Sequence, residues 1–173
     1  MALFYPTIYR RRITDVQVED LRRLGVRAIL LDVDNTLTTH DAPDLDPQVR
    51  DWLTLMEDEG FALVIVSNNR TERVEPFAHA IHLPFVAHGC KPLPKGYRTA
   101  SAMLGIPLRE CIAIGDQIFT DIMGANLAKI PSVLLEPIQP EVDQKFIVFK
   151  RKIERLLMKN KRQSRRREQD YGH

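Results

Sequence analysis

The chain has 173 residues, 44% hydrophobic and 28% charged, which is the composition of one globular domain with a single core. Its longest apolar run, Phe61 to Val66, has the length of a strand, and its first six residues lack the basic-then-apolar order of a signal peptide. From these features we expect neither a membrane span nor a secretory signal, and we predict a cytoplasmic location. The net charge of +2 combines −6 over residues 1–144, +10 over residues 145–167 and −2 over the last six residues.

Short aliphatic runs alternate along the chain with longer amphipathic segments. In chain order they predict a helix at Val18–Leu24, a strand at Ala28–Asp32, a helix near Pro47–Glu59, a strand at Phe61–Val66, a helix near Arg70–Ala80, a strand at Phe85–Ala87, a helix near Lys95–Leu104, a strand at Cys111–Gly115, a helix near Phe119–Ala128 and a strand at Ser132–Leu135. Strands separated by helices of this length pair in parallel. We therefore expect an α/β fold with a five-stranded parallel sheet covered by helices on both faces.

The first strand ends in two carboxylates. Asp32 and Asp34 belong to the segment Asp32-Val33-Asp34-Asn35-Thr36-Leu37, directly after the aliphatic run. Ligand sites of open α/β sheets lie at this end of the strands, where a carboxylate pair can bind Mg²⁺ and one carboxylate can attack phosphorus. Taken alone, the segment also fits an ordinary turn, because Asp and Asn are common turn residues.

Polar segments also follow the second and third strands. Ser67-Asn68-Asn69 offers a hydroxyl and backbone N–H groups that can hold phosphoryl oxygens, or else a simple N-cap for the next helix. Lys91 stands in Lys91-Pro92-Leu93-Pro94-Lys95 and can neutralise phosphate charge as a point cation. A solvated loop lysine is the alternative for such a residue in isolation.

The fourth strand runs into Gly115-Asp116-Gln117-Ile118-Phe119-Thr120-Asp121. Gly115 allows a close turn at the strand end, and Asp116 adds a third carboxylate to the same crevice. Asp121 falls in the first turn of the next helix, where it can hold metal-bound water, orient Lys91 or simply complement the helix dipole.

All four segments lie at the carboxyl ends of predicted parallel strands, so their side chains meet at one rim of the sheet. Together they supply three or four carboxylates, a hydroxyl and a lysine. Mg²⁺-dependent phosphoryl transfer needs this combination of a nucleophile, an acid/base, a metal cage and a cation. The sequence therefore predicts a phosphoryl-transfer enzyme with Mg²⁺ as its cofactor.

The order DxDNT, SNN, KP and GDQxxTD resembles the haloacid dehalogenase (HAD) superfamily, subclass III A, and within it the YqeG-type phosphatase family, which is similar to mitochondrial phosphatidylglycerophosphate phosphatases. The resemblance implies a three-layer Rossmann-like fold and a phosphomonoester hydrolase. It makes Asp32 the nucleophile that forms an aspartyl-phosphate and Asp34 the general acid/base. Further roles follow from it: phosphate binding by Ser67, Asn68 and Lys91, metal binding by Asp32, Asp34 and Asp116, and supporting positions at Asp121, Asn35 and Gly115.

The spacing between the motifs leaves no room for a cap domain. Asp34 to Ser67 accommodates about one helix and one strand, and Ser67 to Lys91 only a helix and a short strand. An open rim admits a phosphate carried by a large molecule, or a neighbouring subunit closes the rim. Residues 38–46 form the only candidate flap.

The C-terminal residues form a basic arm. We divide the chain into a core at 1–145, a basic amphipathic helix at 146–160 and a basic, disordered tail at 161–173. The helix either docks its apolar stripe on the core or lies on an anionic membrane, so that residues 146–167 make a peripheral membrane contact. RNA is a further candidate partner for the tail, on charge alone.

The competing functions belong to two classes. Within the enzyme class, the best substrate is phosphatidylglycerophosphate and the rival is a soluble sugar or nucleotide phosphate. The other class is an RNA- or ribosome-associated binding factor that acts through the basic tail.

The only two cysteines, Cys90 and Cys111, have no paired spacing and predict reduced thiols rather than a disulfide or a zinc site.

Overall fold

The computed structural model describes residues 3–39 and 45–139, and six of its segments form one parallel sheet. The strands are β1 Ile8–Arg10, β2 Ala28–Leu31, β3 Ala62–Val66, β4 Phe85–Val86, β5 Cys111–Gly115 and β6 Ser132–Leu135. Their order across the sheet is β1-β6-β5-β2-β3-β4, and every neighbouring pair is parallel. The order reverses beside β2, which lies between β5 and β3 at the centre.

In the described part of the chain, five α-helices connect the strands. They are α1 Val18–Arg23, α2 Pro47–Asp58, α3 Thr71–Ala80, α4 Lys95–Leu104 and α5 Met123–Ala128. Capping residues determine where two of these helices begin or end. Asp46 caps α2 by accepting from the backbone N–H of Gln48 at 2.8 Å, with Pro47 in the first turn. Gly105 ends α4 at φ 65°, a left-handed conformation that glycine adopts without a steric penalty.

Alternate residues of each strand face opposite layers, which gives the fold two cores. Ile29 and Leu31 of β2 pack into a cluster that includes Trp52 of α2. Leu30, between them, belongs to a second cluster that includes Tyr97 of α4. Because successive strand side chains point to opposite faces, helices cover both sides of the sheet. The predicted three-layer α/β class is confirmed.

The predicted strand number is wrong by one, because β1 was not expected. Its three residues, Ile8, Tyr9 and Arg10, are only partly buried and contain no aliphatic run. β1 lies at the edge of the sheet and pairs with β6 in the register Ile8 to Val133. A short edge strand depends on its partner rather than on its own sequence, so periodicity gives little sign of it.

Two other boundaries differ from the prediction. β2 ends at Leu31, so Asp32 is the first residue beyond the strand. The helix predicted at Phe119–Ala128 begins instead with a π-helical turn at Ile118–Ile122, and α5 follows directly. The remaining predicted elements are present, with ends shifted by at most one residue, as is usual for sequence-based boundaries.

No domain is inserted between the motifs within the described ranges. Only α2 separates β2 from β3, and only α3 and β4 separate β3 from Lys91. The flap predicted at 38–46 lies partly outside the described residues, and the predicted segments 146–160 and 161–173 lie wholly outside them. The core boundary at residue 145 therefore stays a prediction.

None of the described helices is long and apolar enough to span a membrane.

Candidate active site

The carboxyl ends of the three central strands bring the predicted site together. Leu31 of β2 is in register with Ile65 of β3 and with Ile114 of β5. The backbone N–H of Asp32 continues the ladder by donating to Ile114 O at 2.9 Å. Ser67 and Asp116, which follow β3 and β5, therefore leave the sheet within one residue of the level of Asp32.

Lys91 is the centre of the cluster. Its Nζ donates to Asp32 Oδ1 at 2.6 Å and to Asp121 Oδ1 at 2.6 Å, and its side chain is only 3% exposed. Burial disfavours its charged form, but Asp121 and Asp32 more than offset this, and the pKa of Lys91 rises above its ordinary value. The lysine therefore remains a cation between two carboxylates.

The same burial acts on Asp32. It raises the pKa of Asp32 to about 7, although Lys91 opposes the rise and Asp121 adds to it. The Thr36 hydroxyl lies 3.5 Å from Asp32 Oδ2, the oxygen that Lys91 does not contact. A cation bound beside Asp32 would favour its ionised form.

Asn68 fixes the loop that carries Lys91. Its Nδ2 donates to Lys91 O at 2.9 Å, and its Oδ1 accepts from Lys91 N at 2.6 Å. Ser67 is buried beside it, and its Oγ accepts from Asn69 N at 3.1 Å. In this structure the Asn68 amide thus orients Lys91, and the phosphate-binding roles predicted for Ser67 and Asn68 stay predictions.

Besides its ion pair with Lys91, Asp121 is positioned by two hydrogen bonds and by close packing against Gly115. Its Oδ2 accepts from the backbone N–H of Gln117 at 3.0 Å, and its main-chain oxygen accepts from Tyr97 Oη at 3.1 Å. A Cβ on Gly115 would lie 2.4 Å from Asp121 Cγ. The bare glycine backbone is therefore what allows the carboxylate to lie against the end of β5.

Three carboxylates could hold a metal ion. Asp32, Asp116 and Asp121 each offer an oxygen, these oxygens lie within 4.8 Å of one another, and all three residues are buried. Clustered carboxylate oxygens are the ligands that Mg²⁺ prefers, so the donor set fits the predicted cofactor. Asp121 was predicted only as a secondary residue, and its place in this set makes it a candidate ligand.

Asp34 has a different environment from Asp32. Its carboxylate accepts from Asn69 Nδ2 and forms a salt bridge with Arg73 at 2.6 Å. Its side chain is 19% exposed, so it faces the open side of the site. The acid/base and metal-binding roles predicted for Asp34 stay predictions.

The sequence places Asn69 near the site only as part of the segment Ser67-Asn68-Asn69, and it does not predict its contact with Asp34. It does not assign Arg73 or Tyr97 to the site. Arg73 and Tyr97 lie in the first turns of α3 and α4, and only the packing of these helices brings them to Asp34 and Asp121. Asn35, a predicted secondary residue, turns the chain beyond Asp34 at φ 62°, and its carbonyl accepts from Ile138 N at 3.2 Å.

Comparison with known proteins agrees with the geometry. Residues 8–129 match the family model of haloacid dehalogenase-like hydrolases. The chain is 31% identical over 155 residues to the "Probable phosphatase YqeG" of Bacillus subtilis (strain 168), which covers 90% of each chain.

Two further proteins are more distant. Phosphatidylglycerophosphate phosphatase 1, chloroplastic, of Chlamydomonas reinhardtii is 25% identical over 162 residues, which is 88% of this chain and 60% of that protein. The crystal structure of a 4-nitrophenylphosphatase from Thermotoga maritima superposes with a TM-score of 0.57 at 11% identity, covering 67% of this chain and 88% of that one. At that identity the superposition shows the shared fold alone.

Proposed function

The chain belongs to the haloacid dehalogenase-like hydrolase family and is a phosphatase, and from this premise we propose that it hydrolyses phosphomonoesters with Mg²⁺ through an aspartyl-phosphate on Asp32. The observation that carries the proposal is the buried Asp32–Lys91–Asp121 arrangement beside Asp116. It combines a carboxylate nucleophile, a fixed cation and a set of oxygen ligands in one site.

The metal would be held by Asp32, Asp116 and Asp121. When bound, Mg²⁺ would draw negative charge from the phosphoryl oxygens and make the phosphorus a better electrophile. Lys91 contributes a second positive charge from the protein itself, and its two ion pairs fix the ammonium before substrate arrives.

The proposed reaction has two displacements at phosphorus. In the first, a carboxylate oxygen of Asp32 forms a bond to phosphorus, the ester P–O bond breaks, and protonated Asp34 gives its proton to the leaving alkoxide. In the second, water attacks the phosphoryl group, Asp34 takes a proton from that water, and the bond to Asp32 breaks to release phosphate. Asp34 suits proton transfer because it is more exposed than Asp32 and lies two residues further along the chain.

We propose phosphatidylglycerophosphate as the substrate. The chloroplast protein named for this activity is 25% identical to the chain, and the absence of an inserted domain among the described residues leaves space above the rim for a phosphate on a large molecule. A soluble sugar or nucleotide phosphate is the rival substrate. Membrane and nucleic-acid contacts of residues 146–167, and the cytoplasmic location, remain predictions from sequence.

The test is phosphate release from phosphatidylglycerophosphate vesicles, sugar phosphates and nucleotides, with Mg²⁺ and with a chelator. Asp32→Asn should lower kcat by at least about a thousandfold, because it removes the nucleophile. Asp51→Asn, which makes the same change on the exposed face of α2, should leave kcat unchanged. An acid-quenched wild-type reaction should carry a phosphate adduct on the peptide that contains Asp32. Retained activity in Asp32→Asn would overturn the mechanism, and a preference for a soluble ester would overturn the substrate.

A further inference from the structure

A second concave site lies beside the candidate catalytic site. It is a pocket of about 640 Å³, a volume typical of small-molecule sites. Its walls come from three strand ends: Arg11 and Arg12 follow β1, residues 36–39 follow β2, and residues 136–138 follow β6. The first turn of α2 closes another side. The pocket therefore belongs to the same carboxyl rim as Asp32.

Thr36 joins this pocket to the catalytic carboxylate. It lines the pocket, and its hydroxyl is the group 3.5 Å from Asp32 Oδ2. The chain on either side is held in place, since Asn35 N donates to Thr38 O at 2.7 Å and Asn35 O accepts from Ile138 N. A molecule in the pocket would thus lie against the residue that touches Asp32.

The lining combines apolar walls with cations. The apolar side chains come from every wall and include Ile13, Leu37, Leu45, Val49, Leu135 and Ile138. Arg11 has a weak, exposed ion pair with Glu136 at 3.6 Å. Arg12 is exposed and has no ion pair with any acid in the described ranges 3–39 and 45–139.

The two acids among the described lining residues already have hydrogen-bond or ion-pair partners. Glu136 pairs with Arg11 and accepts from Tyr9 Oη at 2.5 Å, and Asp46 caps α2. Among the described residues of the lining, Arg12 is therefore the cation that has no ion pair. A pocket of this kind favours a molecule with an apolar part and an anionic group.

We propose that this pocket binds the alcohol portion of the substrate, and that it selects phosphomonoesters whose alcohol carries a second, phosphodiester-type anion and an apolar part. Arg12 contacts the second anion, the apolar walls contact the adjoining carbons, and the scissile phosphate extends past Thr36 to Asp32. This inference rests on the proposed phosphatase function and adds to it the residues that determine specificity.

The first experiment measures binding without turnover. Dihexanoyl phosphatidylglycerol has the second anion and the apolar part but no cleavable monoester, and its affinity can be measured by titration calorimetry. The wild type and Asp32→Asn should bind it alike, and Arg12→Gln should weaken binding about tenfold, the loss expected for a partly exposed charged contact. Arg23→Gln, an exposed arginine on α1 outside the pocket, is the matched control and should bind as the wild type does. Equal affinity in Arg12→Gln and the wild type would overturn the proposal.

The second experiment compares three substrates. Arg12→Gln should raise KM about tenfold for dihexanoyl phosphatidylglycerophosphate, with kcat within about twofold, and should leave kcat/KM for p-nitrophenyl phosphate unchanged. Gln48→Trp places a ring in the mouth of the pocket, so it should raise KM for the lipid ester, whereas Gln48→Ala should not. Fructose 1,6-bisphosphate has the second anion without the apolar part, and an equally large effect of Arg12→Gln on it would overturn the choice of an amphipathic ligand.

The two proposals fail in different ways. If no ester is hydrolysed but dihexanoyl phosphatidylglycerol binds in an Arg12-dependent manner, the pocket is supported and the proposed function is wrong. If hydrolysis depends on Asp32 but neither Arg12→Gln nor Gln48→Trp changes the preference among the three substrates, the function stands and the pocket proposal is wrong.

Discussion

Lys91 is a buried cation whose neighbours are two buried carboxylates. Such a group holds the site together because each carboxylate would repel the other without it. Asn68 holds its main chain on both sides, so the position of the ammonium is set by backbone contacts as well as by charge.

Replacing Lys91 by Met should destabilise the protein. The change keeps a similar volume but leaves Asp32 and Asp121 buried without their cation, and we expect the free energy of unfolding to fall by about 3 kcal/mol in metal-free buffer. Urea denaturation with and without Mg²⁺ measures it, and Mg²⁺ should stabilise the variant more than the wild type. Lys95→Met removes an exposed charge from the same segment and should cost less than about 0.5 kcal/mol. A loss below about 1 kcal/mol in Lys91→Met would contradict the prediction.

Gly115→Ala should weaken metal binding. The new methyl group would meet the Asp121 carboxylate at 2.4 Å and push it from its contacts with Lys91 and the Gln117 N–H. We expect Mg²⁺ affinity, measured by calorimetry, to fall about tenfold, as for other changes that displace a ligand indirectly.

Gly25→Ala separates this effect from general backbone strain. Gly25 has φ 65° with no atom within 4 Å of the added Cβ, so its substitution should cost about 1 kcal/mol of stability and leave Mg²⁺ affinity unchanged. Unchanged Mg²⁺ affinity in Gly115→Ala would show that Asp121 does not help to hold the metal.

For single residues, the sequence predicted which side chains lie in the candidate site better than it predicted their hydrogen-bond and ion-pair partners. Asp32, Lys91 and Asp116 lie close together because each follows a strand of the parallel sheet, and the carboxyl ends of parallel strands lie at one edge. Arg73 and Tyr97 could not be predicted, since their contacts with Asp34 and Asp121 depend on how two helices pack. The Asn68 contacts with Lys91 likewise depend on a loop conformation that spacing does not determine.

Among the elements, α4 packs unusually close to the loop that leads to Lys91. Gly96 N donates to Gly89 O at 3.1 Å, and a Cβ on Gly96 would lie 2.5 Å from that oxygen and 2.8 Å from Gly89 Cα. The loop has little freedom to retreat, because Gly89 N also donates to Ser67 O at 2.8 Å.

Gly96→Ala should therefore separate α4 from this loop. We expect the free energy of unfolding to fall by about 2 kcal/mol, the range of overpacked cores, and kcat for p-nitrophenyl phosphate to fall with it because Lys91 moves. Thr99→Ala changes an exposed residue of the same helix and serves as the control for both measurements. If Gly96→Ala matched Thr99→Ala in stability and kcat, the close packing would have no role in positioning Lys91.

Elements with a strong pattern were predictable, and elements set by their neighbours were not. The buried strands β2, β3 and β5 are continuous apolar runs, which is the signature of central parallel strands. β1 has no such run and exists through its pairing with β6. The π-helical turn at Ile118–Ile122 places Asp121 against Gly115, and no local sequence rule predicts this tertiary contact.

On the scale of the whole chain, charge is distributed unevenly. Residues 1–144 carry −6 and residues 145–167 carry +10, so an anionic surface would repel the first part and attract the second. The residues of the candidate active site and of the pocket all lie in the first part, within the unit Met1–Ile138. Binding to an anionic surface and hydrolysis of a soluble ester should therefore be separable.

Removing the positive charges of residues 161–167 should weaken vesicle binding and leave the chemistry unchanged. Residues 161–167 contain five Lys or Arg, and each basic residue near an anionic bilayer contributes about 1 kcal/mol, so changing all five to Gln should weaken binding to phosphatidylglycerol vesicles by at least about a hundredfold. Co-sedimentation at low and high salt measures this, and wild-type binding should also weaken as salt rises, because the attraction is screened. Turnover of p-nitrophenyl phosphate should not change.

Phosphatidylcholine vesicles control for apolar adsorption, since binding to them should be weak for both proteins. Two results would contradict an electrostatic role for these residues. One is equally strong binding of the wild type to both lipids, and the other is unchanged binding of the variant with the five substitutions. A loss of soluble-ester turnover would contradict the separation of the two functions.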